Sequence, residues 1–394
     1  MDQSSIVLRD TLHVSRTTRM AFPSILLETI MKGPWPVKVS RVNSWLHSSG
    51  LLARCRGTLA CHNAERVGRS VWFLWSIWFN QMNKTDQIDQ TDQMDQTNQI
   101  NQRDQMNQRD QMAVVVTGAS TGIGAACALD CAGRGMTVFA GVRDPRAGEA
   151  LAAKGGPSLI PITLDVTDEP SIARSVEVVQ RVVGETGLGG LVNNAGIAIG
   201  SPLEVIALSQ LRKQLEVNVI GQIAVTQAFL PLLRRGRGRI VNMGSIAGRG
   251  TIPLLGPYSA SKFALEALTD ALRMELQPWG IQVSIIEPGA IATPIWEKSA
   301  MSAGDLEASA SEEAKALYGE AVIRIREAIA QAAQRAIPTD AVVRAVHHAL
   351  TASYPKTRYL VGADAKLRAW MVKWLPDRIQ DTLLMWALKY PREG

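Results

Sequence analysis

The pattern of apolar and polar positions divides the chain at Met112. Residues 86–112 form nine consecutive triplets of Asp or Asn, then Gln, then a variable residue. A period of three matches neither the face of a helix nor the face of a strand. Because so polar a tract buries too little apolar surface to offset its ordering entropy, we expect it to be disordered.

After Met112, short apolar runs alternate with stretches of helical periodicity. Six runs predict strands: "AVVVTG" from residue 113, "TVFAGV" from 137, "SLIPITLDV" from 158, "GGLVNNAG" from 189, "GRIVNMGS" from 238 and "IQVSIIEPG" from 281. A seventh candidate strand is "RYLVG" at 358–362, and helices are predicted over 122–135, 168–184 and 203–234.

This alternation is typical of a parallel sheet with helices on both faces. We therefore predict an α/β fold, a doubly wound parallel sheet of the Rossmann type. Residues 113–394 form it as a single domain, preceded by a disordered N-terminal extension over 1–112. A ligand of such a sheet binds at the carboxyl ends of the strands, near the switch in strand order.

Three hypotheses account for residues 1–112. In the first, they form an arm, carried on a flexible linker, that binds a partner or a membrane surface. In the second, they are a targeting segment. In the third, they are translated upstream sequence, and Met112 is the authentic start. We favour the third, because Met112 immediately precedes the first strand of the predicted domain.

The amino-acid composition restricts the classes of function that the chain can have. An apolar content of 46% and a charged content of 20% are typical of a soluble globular protein. The net charge of +6 is modest for 394 residues and the basic residues are scattered, so we expect no nucleic-acid partner. The apolar run at 71–79 is shorter than the roughly 20 residues that span a bilayer, and the N-terminus lacks the order of a secretory signal. We expect a cytoplasmic protein without an integral membrane span.

The four cysteines do not indicate a metal centre. Cys127 and Cys131 lie four residues apart on a predicted helix and share a face, but no histidine is adjacent to them in the sequence. We expect these two to be small core residues.

A glycine-rich turn follows the first strand and opens the first helix, which is the context of a dinucleotide-binding loop. Gly118 permits the tight turn, Gly122 lets the backbone approach a pyrophosphate, and Gly124 lets the helix pack against the sheet. Free amides at the helix start then face the phosphates. The residues expected to bind the cofactor here are Thr117, Gly118, Ser120, Gly122, Ile123 and Gly124.

The end of the second strand, "GVRD", bears on the choice of cofactor. Arg143 there favours NADP(H) over NAD(H), because a guanidinium pairs with a 2′-phosphate. In the alternative, Arg143 points into solvent and Asp144 binds the ribose hydroxyls. Asp165, after the third strand, is a candidate acceptor for the adenine amino group or, alternatively, a turn or capping aspartate.

Tyr258 and Lys262, in "YSASK", lie one helical turn apart and project to the same side. A free phenol has a pKa of about 10, too high for acid–base work at neutral pH. A nearby ammonium favours the phenolate, so we expect Lys262 to lower the pKa of Tyr258 and make it a general acid or base. Lys262 also reaches the nicotinamide ribose. A pair at this spacing is by itself often only a solvated helix face.

Two further polar residues fit this chemistry. Ser245 ends the fifth strand, where it either holds a substrate oxygen or caps a turn. Asn218 sits in an apolar helical stretch, and a buried amide needs partners. A water chain to Lys262 supplies them in one hypothesis; in the other, Asn218 stabilises a kink.

Together these motifs resemble the short-chain dehydrogenase/reductase family: "TGASTGIG", "NNAG" at 193–196, Asn218, Ser245, "YSASK" and "PGAIAT" at 288–293, in the family's order and spacing. The resemblance covers residues 113–300 closely. It implies a catalytic tetrad of Asn218, Ser245, Tyr258 and Lys262. It also implies cofactor contacts from Asn194, Ala195, Gly196, Pro288, Gly289 and Thr293. The strand end "VRD" is similar to that of NADP-using hydroxysteroid and retinol dehydrogenase-like members.

The resemblance implies an NAD(P)(H)-dependent oxidoreductase acting on a small-molecule carbonyl or alcohol, commonly as a dimer or tetramer. The alternative is a non-catalytic cofactor sensor that acts through a protein partner. Ile295, Trp296 and Met301 either make the substrate cleft apolar, suiting a steroid, retinoid or acyl-like substrate, or pack into a helix. The tryptophans of the C-terminal segment close the cleft, join subunits, touch a membrane or, as we favour, pack in the core.

Overall fold

The computed structural model of the chain describes residues 112–294 and 311–391. The predicted disorder of 1–111 and the predicted roles of Ile295, Trp296 and Met301 fall outside these residues. Within them, strands and helices alternate along the chain as the hydrophobic pattern predicts. The predicted core packing of the C-terminal tryptophans is wrong, because Trp370, Trp374 and Trp386 are exposed.

The strands are β1 (Ala113–Val116), β2 (Thr137–Val142), β3 (Leu159–Thr163), β4 (Gly190–Asn193), β5 (Arg239–Met243), β6 (Gln282–Pro288) and β7 (Arg358–Val361). The helices are α1 (Gly122–Gly133), α2 (Pro145–Gly155), α3 (Glu169–Val183), α4 (Leu208–Leu215), α5 (Gly221–Arg235), α6 (Gly256–Glu275), α7 (Glu312–Gln334), α8 (Asp340–Thr351), α9 (Ala363–Trp374) and α10 (Asp377–Ala387). Short 3₁₀ turns occupy Gly184–Thr186, Ile246–Gly248 and Gln277–Trp279.

The strands form one parallel sheet in the order β3-β2-β1-β4-β5-β6-β7. The order reverses between β1 and β4, so the connections on either side of this point diverge to opposite faces. A crevice forms there at the carboxyl ends of the strands. The doubly wound prediction is confirmed, and so is the seventh strand.

Both faces of the sheet are buried, which explains why the strands read as continuous apolar runs. Alternate residues of β1 belong to different cores: Val114 and Val116 pack with α1 and α8, whereas Ala113 and Val115 pack with α3 and α5. Cys127 and Cys131 are buried in the first core, as predicted. Burial raises the pKa of both thiols, that of Cys131 to about 12, so they stay protonated.

The predicted helix over 203–234 needs correction. Residues 203–207 are not helical, and the helix begins at Leu208. It then passes through a π-helical turn, Glu216–Ile220, before continuing as α5. Asn218 lies within that turn, so the helix departs from regular geometry where asparagine, a poor helix former, occurs.

By length and composition, one helical stretch in the described ranges, Leu208–Arg235, is apolar enough to cross a membrane. Val225, Phe229 and Leu233 on its inward face are fully buried against the sheet. Because this face packs on the sheet, we interpret the stretch as a helix of the domain core.

Candidate active site

A cavity of about 810 Å³ lies over the carboxyl ends of the strands. Most of the residues predicted to bind cofactor or to catalyse line it: Gly118, Ser120, Gly122, Ile123, Arg143, Asp165, Asn194, Ala195, Gly196, Ser245, Tyr258, Lys262, Pro288, Gly289 and Thr293. Thr117, Gly124 and Asn218 do not line the cavity and act from behind its wall.

The glycine turn has the conformation that the sequence predicts. Gly118 and Gly122 have φ values of 63° and 61°, a region that favours glycine. The contacts around Gly124 differ from the predicted packing of the helix against the sheet. A Cβ there would lie 2.3 Å from the Gly118 carbonyl oxygen and 2.4 Å from Asn194 Nδ2. The missing side chain therefore makes room for the loop itself and for Asn194, not for the body of the sheet.

Thr117 and Asn194 join the turn after β1 to the turn after β4. Thr117 Oγ1 accepts from the amides of Asn194 at 2.9 Å and Ala195 at 3.0 Å. In return, Asn194 Nδ2 donates to the carbonyls of Thr117 at 3.0 Å and Gly118 at 3.1 Å. These bonds hold the glycine loop at the topological switch point, so these residues support the cofactor site.

The start of α1 fits an anionic ligand. The N-cap, Thr121, makes no side-chain hydrogen bond to the first-turn amides, and the first turn carries no acidic residue. Amides at a helix N-terminus need an acceptor, and the helix dipole favours a negative one. Because these amides border the cavity beside Gly122, the residues present fit a pyrophosphate.

The structure separates the two residues at the end of β2. Arg143 lines the cavity, whereas Asp144 does not. Asp144 is the N-cap of α2, where its carboxylate accepts from the Arg146 amide at 3.0 Å. Arg143 and Asp144 are both exposed, Arg143 at the cavity and Asp144 as the cap of α2.

Asp165 is a turn aspartate that also borders the cavity. Its Oδ1 accepts from the amide of Thr167 at 2.9 Å and from the hydroxyl of Thr167 at 2.8 Å. Partial burial acts to raise the pKa of Asp165, but these bonds and the charge of Arg143 lower it overall. The carboxylate thus stays ionised, as an acceptor for an adenine amino group must.

Tyr258 and Lys262 project from α6 toward the cavity, as the spacing predicts. Lys262 Nζ lies 5.7 Å from the centroid of the Tyr258 ring. The ammonium is buried and donates to the Met243 carbonyl at 2.7 Å. This bond fixes the lysine to the end of β5, next to Ser245.

The expected direction of the Tyr258 pKa is wrong. Burial raises this pKa, and a hydrogen bond from Ser245 lowers it only in part. Desolvation of the phenolate prevails because the Lys262 ammonium points at Met243 instead of the phenol oxygen. Burial also lowers the pKa of Lys262 to about 8, and the charge of Glu266 acts to raise it.

Ser245 has the capping role that the sequence left open, and it also lines the cavity. It is the N-cap of the turn Ile246–Gly248, where its Oγ accepts from the Ala247 amide at 3.1 Å. Its side chain also lines the cavity with Tyr258, close enough to act to lower the pKa of the phenol. The cap holds the hydroxyl at the place where a substrate oxygen would meet Tyr258.

The side chain of Asn218 finds its partners in the loop after β4 and on α6. Its Oδ1 accepts from the Ile197 amide at 2.9 Å, and its Nδ2 donates to the Ile197 carbonyl at 2.9 Å and to Ser261 Oγ at 3.0 Å. The Ser261 hydroxyl in turn donates to the Tyr258 carbonyl. Asn218 thus connects the loop after β4 to the helix that carries Tyr258.

Sequence reasoning missed two amides that act with Asn218. Gln214 and Gln222, also buried, lie one turn before and one turn after it. Gln214 bonds the backbone of Ile197 and Ile199, and Gln222 donates to the Ala195 carbonyl. The sequence does contain a pattern that indicates them, because three side-chain amides recur every four positions on one face of an apolar helix.

A second missed group comes from the C-terminal helices. Asp364, on α9, accepts from the Ala290 amide at 2.7 Å, just after Pro288 and Gly289. Arg368 and Leu384 also line the cavity. No motif marks these residues, because their role depends on how α9 and α10 return to the sheet. Thr293 borders the cavity and makes only a long bond, 3.5 Å, to the Ile291 carbonyl.

Comparison with known proteins agrees with this architecture. Residues 112–303 match the family model described as short chain dehydrogenase. Retinol dehydrogenase 5 of Mus musculus is 38% identical over 288 residues, covering 71% of this chain and 90% of the relative. The NADPH-dependent 3-dehydrocapnine reductase of Ornithobacterium rhinotracheale is 36% identical, covering 70% and 96%.

Two solved structures share the fold. A short-chain dehydrogenase from Streptomyces avermitilis superposes with a TM-score of 0.56 at 28% identity, covering 70% of this chain and 96% of its own. A short chain dehydrogenase from Burkholderia cenocepacia, in complex with NADP, has a TM-score of 0.53 at 26% identity, covering 71% and 98%.

Proposed function

The chain belongs to the short-chain dehydrogenase/reductase family of oxidoreductases, and we propose that it transfers hydride between NADP(H) and the carbonyl or secondary-alcohol carbon of an apolar small molecule. One observation carries the proposal. Ser245, Tyr258 and Lys262 line the wall of one cavity, with the Lys262 ammonium 5.7 Å from the centroid of the Tyr258 ring.

We assign the proton chemistry to these side chains. A bound nicotinamide supplies or accepts the hydride. Ser245 holds the substrate oxygen by a hydrogen bond and stabilises negative charge that develops on it. Tyr258 donates its proton to that oxygen during reduction, or removes it during oxidation. Its raised pKa keeps the phenol protonated and ready to donate.

Lys262 and Asn218 support the phenol in different ways. The positive charge of Lys262 favours the phenolate that remains after the proton is given up. Asn218 acts by position, since its contacts through Ser261 fix the first turn of α6. We place no direct proton transfer on Asn218.

Substitution of Tyr258 by Phe tests the assignment. Tyr258→Phe removes the proton donor and leaves the ring, so we expect turnover to fall by at least about 100-fold. Cofactor affinity should stay within about twofold, because the glycine loop is untouched. Carbonyl-dependent oxidation of NADPH, followed by absorbance, gives the rate, and fluorescence titration gives the affinity.

Retained turnover in Tyr258→Phe contradicts the assignment. A wild-type protein that binds the cofactor but converts none of a panel of ketones and aldehydes would favour the alternative, a non-catalytic sensor acting through a protein partner.

Preference for NADP(H) is supported by Arg143 in the cavity wall, while Asp144 is engaged in capping α2. The NADP complex and the NADPH-dependent relative support it as well. An apolar substrate is supported by Ile252, Leu255 and Leu384 in the same cavity.

Arg143→Ala tests the cofactor preference. We expect the KM for NADPH to rise about 10- to 100-fold, because one charge-assisted hydrogen-bond pair is lost. The KM for NADH should stay almost unchanged. Asp144→Ala is the matched control one position away. It should cost about 1 kcal/mol of stability through loss of the cap and leave the ratio of the two KM values unaltered. Equal effects of Arg143→Ala on both cofactors would contradict this preference.

The family resemblance also leads us to propose a homo-oligomer, a dimer or tetramer, in the cytoplasm. Light scattering of the purified protein tests the first statement, and cell fractionation tests the second. A monomer, or a protein that sediments with membranes, would contradict them.

A further inference from the structure

Arg368, on α9, lines the cavity. Its Nη2 donates to the Thr251 carbonyl at 3.1 Å. Its guanidinium packs on Gly250, where an added Cβ would lie 2.9 Å from Nη2. Gly250 and Thr251 belong to the segment that runs from Ser245 to Tyr258. Arg368 therefore contacts the segment that joins Ser245 to Tyr258 and lines the same cavity as both residues.

The guanidinium of Arg368 is not fully paired. Its Nη1 is buried and has no hydrogen-bond partner among the residues that the structure describes. Burial lowers the pKa of the guanidinium and the charge of Asp381 on α10 raises it, but no ion pair forms with a described carboxylate. Asp364, one turn earlier on α9, is engaged by the Ala290 amide.

A buried, unpaired guanidinium donor is unfavourable, and arginine stays charged at physiological pH. A ligand oxyanion removes this penalty, because the planar guanidinium donates well to carboxylate-like groups. The neighbouring lining residues Ile252, Leu255 and Leu384 are apolar. Of the other cations at the cavity, Arg143 ends β2, Lys262 contacts Met243, and Arg212 and Lys213 are exposed on α4.

We propose that Arg368 binds an anionic group, a carboxylate or a similar oxyanion, on a substrate whose carbonyl lies at Ser245 and Tyr258. The inference rests on the proposed function and narrows its substrate class to organic oxo acids with an apolar chain. Arg368 lies on the C-terminal helices, beyond the residues 112–303 matched by the family model.

A series of straight-chain keto acids tests the proposal, each compared with its own methyl ester. The keto group is moved along the chain to vary its distance from the carboxylate. For wild type with NADPH we expect one spacing at which the acid exceeds its ester about 10- to 100-fold in kcat/KM. Arg368→Met should remove this preference by raising KM for the acid, while kcat/KM for the esters stays within about twofold.

Two further variants make the result specific. Arg368→Lys keeps the charge without the planar geometry and should retain part of the preference. Lys366→Met removes an exposed charge from the same helix and should retain all of it. Thermal unfolding of each variant checks that the fold is intact. Equal kcat/KM for acid and ester at every spacing, or equal losses for both in Arg368→Met and Arg368→Lys, would overturn the proposal.

A binding measurement separates this inference from the proposed function. If neither these compounds nor the panel of ketones and aldehydes is turned over, the proposed function fails, and calorimetry with the same keto acids in the presence of NADP⁺ still decides the role of Arg368. Binding of an acid but not its ester, lost in Arg368→Met, supports the anion site. Absence of binding, or equal binding of acid and ester, overturns it.

Discussion

Lys262 is a buried ammonium whose protonation depends on a neighbouring carboxylate. Burial lowers its pKa to about 8, and Glu266, one turn along α6, acts against this change. Glu266 itself has a pKa of about 7, raised by burial and by the nearby charge of Glu287 and held down by Arg358 and Arg249. The charge beside Tyr258 is therefore set by a network that extends behind the cavity.

Glu266→Gln should shift the alkaline limb of the pH–activity profile. Lys262 is charged below its pKa and neutral above it, and the Glu266 carboxylate raises that pKa. Without the carboxylate, Lys262 loses its proton at lower pH, so the alkaline fall in kcat/KM moves to lower pH. Steady-state rates of carbonyl reduction across pH 6 to 10 or so measure the shift.

Asp270→Asn is the control for this substitution. Asp270 lies one turn beyond Glu266 on the same helix and contacts Arg358 and Arg273, not Lys262. It should leave the alkaline limb where it is. A limb that moves equally in both variants, or moves to higher pH in Glu266→Gln, would contradict this electrostatic role.

At the scale of residues, one part of the site could be predicted from the sequence and another part could not. Tyr258, Lys262 and Ser245 were predictable because helical spacing and strand ends bring them together. The direction of the Tyr258 pKa was not, because desolvation depends on how deeply the phenol is packed. Asp364 and Arg368 were not predictable either, since no spacing rule relates α9 to the end of β6.

At the scale of elements, α1 and the glycine loop depend on one close contact. Gly124→Ala would bring a Cβ within 2.3 Å of the Gly118 carbonyl and 2.4 Å of Asn194. We expect a shifted loop, at least a tenfold loss of cofactor affinity, and a loss of stability of about 1–3 kcal/mol. Fluorescence titration and thermal unfolding measure the two effects.

Gly133, at the other end of α1, is the matched control. An added Cβ there meets nothing within 4 Å. Gly133→Ala should keep cofactor affinity and stabilise the protein by up to about 1 kcal/mol. Similar affinities in both variants would show that the loop tolerates a side chain at Gly124.

The elements of the fold were predictable where the pattern is regular. The strands follow from apolar runs bounded by glycine and polar residues. The structure of residues 203–234 was harder to predict. An apolar helical pattern reveals neither the irregular start at 203–207 nor the π-helical turn around Asn218. The π-helical turn lies where Asn218 bonds the backbone of Ile197 in the loop after β4, a tertiary contact that the pattern does not show.

At the scale of the whole molecule, the domain that begins at Met112 has its own complete sheet. The Met112 carbonyl accepts from the Thr137 amide at 3.1 Å, and its side chain packs beside Gly189 and Gly190. β1 follows directly and lies at the centre of the sheet. We therefore expect Met112 to be a sufficient starting residue for the fold.

A protein comprising residues 112–394 should unfold within about 2 °C of the full chain and match its kcat/KM. A shorter protein that starts at Thr117 loses β1 and should not fold. Circular dichroism and NADPH oxidation compare the three, and intact mass of natively expressed protein shows which start is used. Loss of activity in 112–394 would assign a role to the preceding segment.

The position of β1 between β2 and β4 has a consequence for synthesis on the ribosome. Strands β1, β2 and β3 emerge first, yet the Thr117 hydroxyl awaits the amides of Asn194 and Ala195, more than 70 residues downstream. Until β4 has left the exit tunnel, the nascent chain exposes an open sheet edge and an unsupported nucleotide loop. The cofactor can therefore act as a folding ligand only after β4 has docked, late in translation.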